Sequence, residues 1–151
     1  MASKVQIGLL VLQAVQLAFI LLHDWAPLGR LNNLAAVRAS DPPAKLLRVT
    51  LLSALPFALV FSATCVYGTK PWPMWLRTWL LWTYIAAAAG AVIAWWGPYL
   101  FWRSPEREAR YRIRFAGTLK VLPERRGISP DLLHILFHLC IVSTLVLILR
   151  L

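Results

Sequence analysis

Residues 5–22 read VQIGLLVLQAVQLAFILL, eighteen positions without a formally charged side chain. Backbone immersed in hydrocarbon must satisfy its own hydrogen bonds, which admits helices or closed barrels. The unbroken run Leu9-Leu10-Val11-Leu12 lacks the period-two alternation of a barrel strand, so the segment reads as a helix. At about 1.5 Å per residue it just reaches the roughly 30 Å apolar thickness of a bilayer. It is longer than a usual signal-peptide core, and Leu21-Leu22-His23-Asp24 offers no small-x-small cleavage site, so it is expected to be a retained helix.

Three further charge-free stretches, 49–69, 78–102 and 132–149, repeat the pattern. The expectation is an all-α polytopic membrane protein. A four-transmembrane-helix bundle with interfacial cytoplasmic helices forms one integral membrane domain over 1–151. Pro56 should kink the second span rather than end it. Composition agrees: 60% of the 151 residues are hydrophobic and 15% charged, with mean hydropathy +0.64, too apolar for an ordinary soluble domain. Two cysteines, Cys65 and Cys140, cannot build a disulfide framework, and their expected depths in the bilayer differ.

Lys and Arg distribution sets the orientation. Twelve of the sixteen lie in the segments after spans one and three, and four (Lys4, Lys70, Arg77, Arg150) on the other side. Loops 23–48 and 103–131 are therefore expected in the cytoplasm with both termini outside, and Trp72, Trp75, Trp95, Trp96 and Trp102 at headgroup level.

Within the second loop, Ser104-Pro105-Glu106 is a helix start signal. The helix it opens should end near Gly117 and group Arg103, Arg107, Arg110 and Arg114 in one sector facing anionic phospholipid headgroups or, as the alternative, a phosphorylated or carboxylated ligand. The alternation through 111–115 leaves a hairpin over 111–122 as the weaker alternative. Leu28, Leu31, Leu34 and Val37 suggest a second interfacial helix over 28–38. Basic residues beside a span favour lipid as the partner, not nucleic acid.

The topology brings His23, Asp24, His134 and His138 to one rim. His134 and His138, at i and i+4, project from one helix face and could share a divalent ion; a haem would need His23 opposite one of them. A bare His-x-x-x-His lacks the glutamate of metalloprotease signatures, so hydrogen bonding to loop carbonyls is the plainer role. Gln6, Gln13 and Gln16 form an intramembrane polar stripe with His23, and Thr50, Ser53 and Thr64 a weaker one; interhelical hydrogen bonds or a hydrated path would account for them. Thr83, Ala87, Gly90 and Ala94 form a flat ridge suited to close packing on another helix of the bundle.

Trp95-Trp96-Gly97-Pro98-Tyr99-Leu100-Phe101, the loop Thr118 to Arg125 with Leu122-Pro123, then Pro130, Leu133-His134 and His138 resemble a group of small four-span bacterial membrane proteins. That group shares a Trp-Trp-x-Pro-Tyr-x-Phe helix end, a Thr-x-x-x-Leu-Pro-x-Arg loop and a Leu-His-x-x-x-His start to the last span. The resemblance covers under half the chain and implies architecture and bacterial origin, not an activity. A His often follows the loop threonine in that pattern; here Leu119 stands there, which weakens a three-ligand metal proposal.

No Gly-rich phosphate loop or catalytic Ser-x-x-Lys pattern is present. The leading expectation is a non-enzymatic accessory or interaction subunit without a resident cofactor, as a homo-oligomer or within a larger membrane complex. The rivals are a membrane oxidoreductase or metal-binding protein using the histidines, with a divalent metal or haem and with quinone or lipid reaching the site from the inner leaflet, and a small-solute or ion transporter.

Overall fold

The computed structural model describes residues 4–68 and 70–151. It is 73% helical, with no strands among the described residues. Three helices are long and apolar enough to cross a membrane: α1 (Lys4–Leu22), α3 (Pro43–Tyr67) and the continuous run Met74–Leu100. That run consists of α4 (Met74–Ala91), a π-helical segment Val92–Trp96 and α5 (Gly97–Leu100). A shorter apolar helix, α7 (Leu132–Ile148), follows, and two short polar-flanked helices, α2 (Leu34–Ser40) and α6 (Pro105–Arg114), lie in the connections.

The long helices extend beyond the charge-free stretches at their N-terminal ends. α3 takes in Lys45 and Arg48, and α4 takes in Arg77, because long cationic side chains reach outward without interrupting the helical ladder. α3 also runs through Pro56 unbroken.

Each long helix packs on two others, in the cyclic order α1, α3, α4, α7. Neighbours are antiparallel: the start of α1 meets the end of α3, where Gln6 Nε2 donates to Lys70 O at 3.0 Å, and its end meets the start of α7, where Phe19 stacks on Phe137 at 4.3 Å. One end of the assembly thus carries the start of α1, the end of α7 and the ends of α3 and α4 that face each other across the short connection. The other carries both long connections and is called the rim below.

At the terminal end, Leu9, Val60, Leu76, Leu80, Tyr84 and Ile141 form the main core, each at most 2% exposed. Trp72 also packs into this core, at 3% exposure. A second, smaller core of Trp95, Tyr99, Phe115 and Ile128 sits at the rim. Trp95 therefore faces inward, at 6% exposure, beneath the charged connection.

The connection 103–131 is structured. Its first part is helical, α6, with the hairpin absent; Lys120↔Asp131 and Arg125↔Ile128 are only isolated bridges. α6 stops at Arg114, short of Gly117, whose φ of +73° makes the left-handed turn that glycine tolerates. Ser104 holds the N-cap position without a side-chain cap bond, so Pro105 and the acids of the first turn carry the start. The expected helix over 28–38 is broken in two. Asn32 Nδ2 donates to the carbonyls of His23 (2.6 Å) and Ala26 (2.7 Å), closing a loop around a 3₁₀ turn at Gly29–Leu31. Asn33 Oδ1 then accepts from Ala36 N and caps α2.

The π segment has a local cause. Pro98 has no N–H, so carbonyls one turn before it lose their donor. Arg107 Nη1 donates instead to Ile93 O (2.6 Å) and Ala94 O (3.1 Å), and Tyr111 Oη donates to Ala94 O (2.9 Å). α6 is thereby stitched to the helix it follows. Gly97 is required there for a different reason: a Cβ on it would lie 2.0 Å from the Trp102 ring.

Candidate functional site

Asp131 builds the start of α7 and aims its first histidine. One carboxylate oxygen accepts from His134 N (3.1 Å), as a helix cap, and the other from His134 Nδ1 (2.8 Å). Burial pushes the Asp131 carboxyl up, but the hydrogen bonds and charge of His134 outweigh it and hold its pKa below the usual value. With Nδ1–H committed to the carboxylate, the ring leaves Nε2 for any other partner.

His23 comes to the same place from the end of α1. Its Nδ1 donates to Phe19 O (3.0 Å), its ring stacks on Phe19 (4.6 Å between centroids), and burial lowers its pKa from the ordinary value. The His23 and His134 rings meet edge to face at 5.6 Å, and His138 follows at 6.4 Å from His134. Trp95, swung inward beside the π segment, lies 4.6 Å from His134 and 6.2 Å from His138. The three imidazoles thus occupy one aromatic nest with Phe19, Phe115 and Phe137.

The nest floors a cleft of about 260 Å³ between α1, α3, α4 and α7. No Lys, Arg, Asp or Glu lines it. Its lining includes Ser53 of α3 and Gly90 of α4, both exposed, and a Cβ built on Gly90 would meet nothing within 4 Å. The small-residue ridge is therefore an opening: Ala87, Gly90 and Ala94 border the cleft instead of seating a neighbouring helix. His138 is 91% buried, and neither of its ring nitrogens has a hydrogen-bond partner; Nδ1 is wholly enclosed. A second, apolar groove of about 270 Å³ lies between α1 and α7 and shares Phe19, His23 and Phe137 with the cleft.

Asp24 does not join the imidazoles as a ligand. One oxygen lies 3.4 Å from His23 Nε2, while the other accepts from Arg114 Nη2 at 2.5 Å. Arg114 bridges onward to Asp41 (2.8 Å), which also takes Arg110 (3.0 Å) and Lys45 (2.5 Å). Burial raises the Asp41 pKa, but the bonds from Lys45 and Arg110 prevail and bring it down to about 2. Among the described residues, no group of three or more His, Cys, Asp and Glu converges to hold a metal ion.

The four arginines expected to face phosphates are all engaged within the chain. Arg114 is sequestered at 13% side-chain exposure, and Arg107 serves the π segment. Arg103 pairs with Glu108 and Arg110 with Asp41, yet their side chains remain 66% and 52% exposed.

The glutamine stripe is buried and bonded across helices. Thr64 Oγ1 donates to Gln13 Oε1 (3.1 Å), and Gln16 Nε2 donates to Thr144 Oγ1 (2.8 Å). Trp25 Nε1 donates to Thr50 Oγ1 at 3.1 Å. Cys65 and Cys140 are free.

Sequence reasoning missed Trp95, Asp131 as the partner of His134, and Arg114 as a buried bridge. Asp131-x-x-His134 was the readable signal for the second, and Pro98 within an apolar run for the first. Comparison with family models, curated proteins and solved structures finds no match to this chain.

Proposed function

We propose that this is a multi-pass protein of a bacterial inner membrane whose three long helices cross the bilayer together with the shorter α7 as a four-helix bundle. The rim faces the cytoplasm, and the protein binds a small, apolar-tailed molecule taken from the lipid phase. One observation carries the reading: a charge-free cleft with histidines at its floor, bordered by Gly90 and Ser53 on the outer surface of the apolar helices. A concave apolar site with a few convergent polar groups suits a ligand, and its level along the helices suits delivery from lipid, not water.

Placement in the bilayer is supported by the outward faces, where Leu52 (66%), Trp82 (63%) and Leu51 (56%) are exposed. The excess of Lys and Arg at the rim supports its cytoplasmic side, and exposed Arg103 and Arg112 are placed to meet anionic headgroups. The engagement of the nearby carboxylates within the chain favours binding over catalysis.

The test is purification from native membranes in mild detergent, followed by native mass spectrometry and solvent extraction. A single class of amphiphile should accompany the protein near one per chain, and Gly90→Leu should deplete it several-fold. Recovery of bulk phospholipid alone, equal in both proteins, overturns the reading.

A further inference from the structure

Resting on the lipid-phase binding just proposed, we infer that the ligand's head is an uncharged six-membered ring bearing carbonyl or hydroxyl oxygens, of the quinone or quinol class. It is held by hydrogen bonding to His138 between aromatic walls, and its tail leaves past Gly90.

Three features select that chemistry. An ionic head would be stripped of water in a cleft whose lining carries no Lys, Arg, Asp or Glu, so an uncharged head is favoured. Trp95, Phe19, Phe57 and Phe137 line the space, and flat side chains of this kind pack best against another flat ring. At about 260 Å³ the cleft sits below the usual volume for drug-sized ligands, enough for one ring with substituents.

The polar contact follows from what the histidines lack. Buried polar groups ordinarily find partners, yet the 91% buried His138 ring has none on either nitrogen. Its Nε2, the ring nitrogen that is not enclosed, can donate to a ring carbonyl or accept from a ring hydroxyl, according to tautomer. His134, whose Nδ1 is fixed by Asp131, keeps Nε2 as an acceptor for a second oxygen. Gly90 stands ten residues before Leu100, roughly 15 Å along the helix axis. The tail therefore leaves within the apolar thickness, while the head reaches toward the rim.

The experiment uses the full chain in zwitterionic-lipid nanodiscs and a radiolabelled decyl-tailed benzoquinone. Decylbenzene, with the same tail and a ring without oxygens, and phosphatidylglycerol serve as competitors. Saturable binding near one per chain is expected, with decylbenzene at least tenfold weaker and phosphatidylglycerol not competing. His138→Phe keeps a flat ring and removes the nitrogens, and should weaken quinone binding about tenfold. Gly90→Leu, which fills open space, should weaken it at least as much. Decylbenzene or phosphatidylglycerol binding as tightly as the quinone, or unchanged binding to His138→Phe, overturns the head assignment and leaves lipid-phase binding standing. Should His138→Phe fail to fold by circular dichroism and gel filtration, unchanged quinone binding to Gly90→Leu overturns the proposal. Saturable binding of none of the probes, with no co-purifying amphiphile, removes the underlying reading as well.

Discussion

The terminal end and the rim of this molecule are held together by different physics. At the terminal end the helices touch directly, with Leu9, Val60, Leu76 and Leu80 fully enclosed and Gln13 and Gln16 bonded across to Thr64 and Thr144. At the rim they part around a cleft, and cohesion comes from the connections: Arg114 between two buried carboxylates, and α6 donating to carbonyls freed by Pro98. Direct packing leaves no room for a guest. Separation of the helices costs contact area, and the capping segments offset it while leaving space inside.

Removing the bridge should break the contrast most severely. Arg114→Ala leaves Asp24 and Asp41, at 7% and 2% side-chain exposure, without their shared cation, an expected loss of about 3–5 kcal/mol. Unfolding in mixed micelles measures it, and hydrogen exchange should rise at the rim amides before those of the terminal end. Uniform exchange along the chain would erase the distinction between the two ends.

Leu80→Ala attacks the opposite end by opening a cavity in enclosed packing, at a cost of about 2–4 kcal/mol. Ligand capacity at the rim should survive it in the folded fraction, as read by the quinone titration. Acid sharpens the comparison next. Asp41 titrates near 2 when folded, against an ordinary value of 3.8, so its contribution is complete above about pH 4 and is lost as pH falls toward 2. The shift corresponds to about 2 kcal/mol. Wild-type stability should drop across that window by about this much more than in Asp41→Asn, followed by thermal unfolding at stepped pH. Gln16→Leu should cost least, about 0.6 kcal/mol, the average for a hydrogen bond between membrane helices, and its melting curve should nearly overlay the wild type.

Legibility followed range. The glutamine stripe could be read because a 100° step places Gln6, Gln13 and Gln16 on one face, and a polar face in an apolar helix must turn inward. The spacing of His134 and His138, and their sharing an end with His23, follow from helix period and the number of crossings. Arg114 illustrates what periodicity hides. The arc containing Arg103, Arg107, Arg110 and Arg114 was visible, but its partners Asp24 and Asp41 lie 90 and 73 residues away, and no local rule couples them. Gly90 is similar: a small residue in a helix signals close approach or vacancy equally well, and only the path of α3 decides. Pro98 was readable as a missing donor, yet which side chains would replace it depended on α6 folding back over the helix.

The bond from Leu119 N to Arg30 O, and that from Arg114 to Asp24, have a consequence for biogenesis. A chain emerging from its N-terminus places Asp24 at the end of α1 long before residue 114 has been synthesised. Until then that carboxylate lacks its arginine partner, so the early helices pass through a stage in which the rim is unsealed. The second half of the polypeptide acts on the first as a late-arriving clasp.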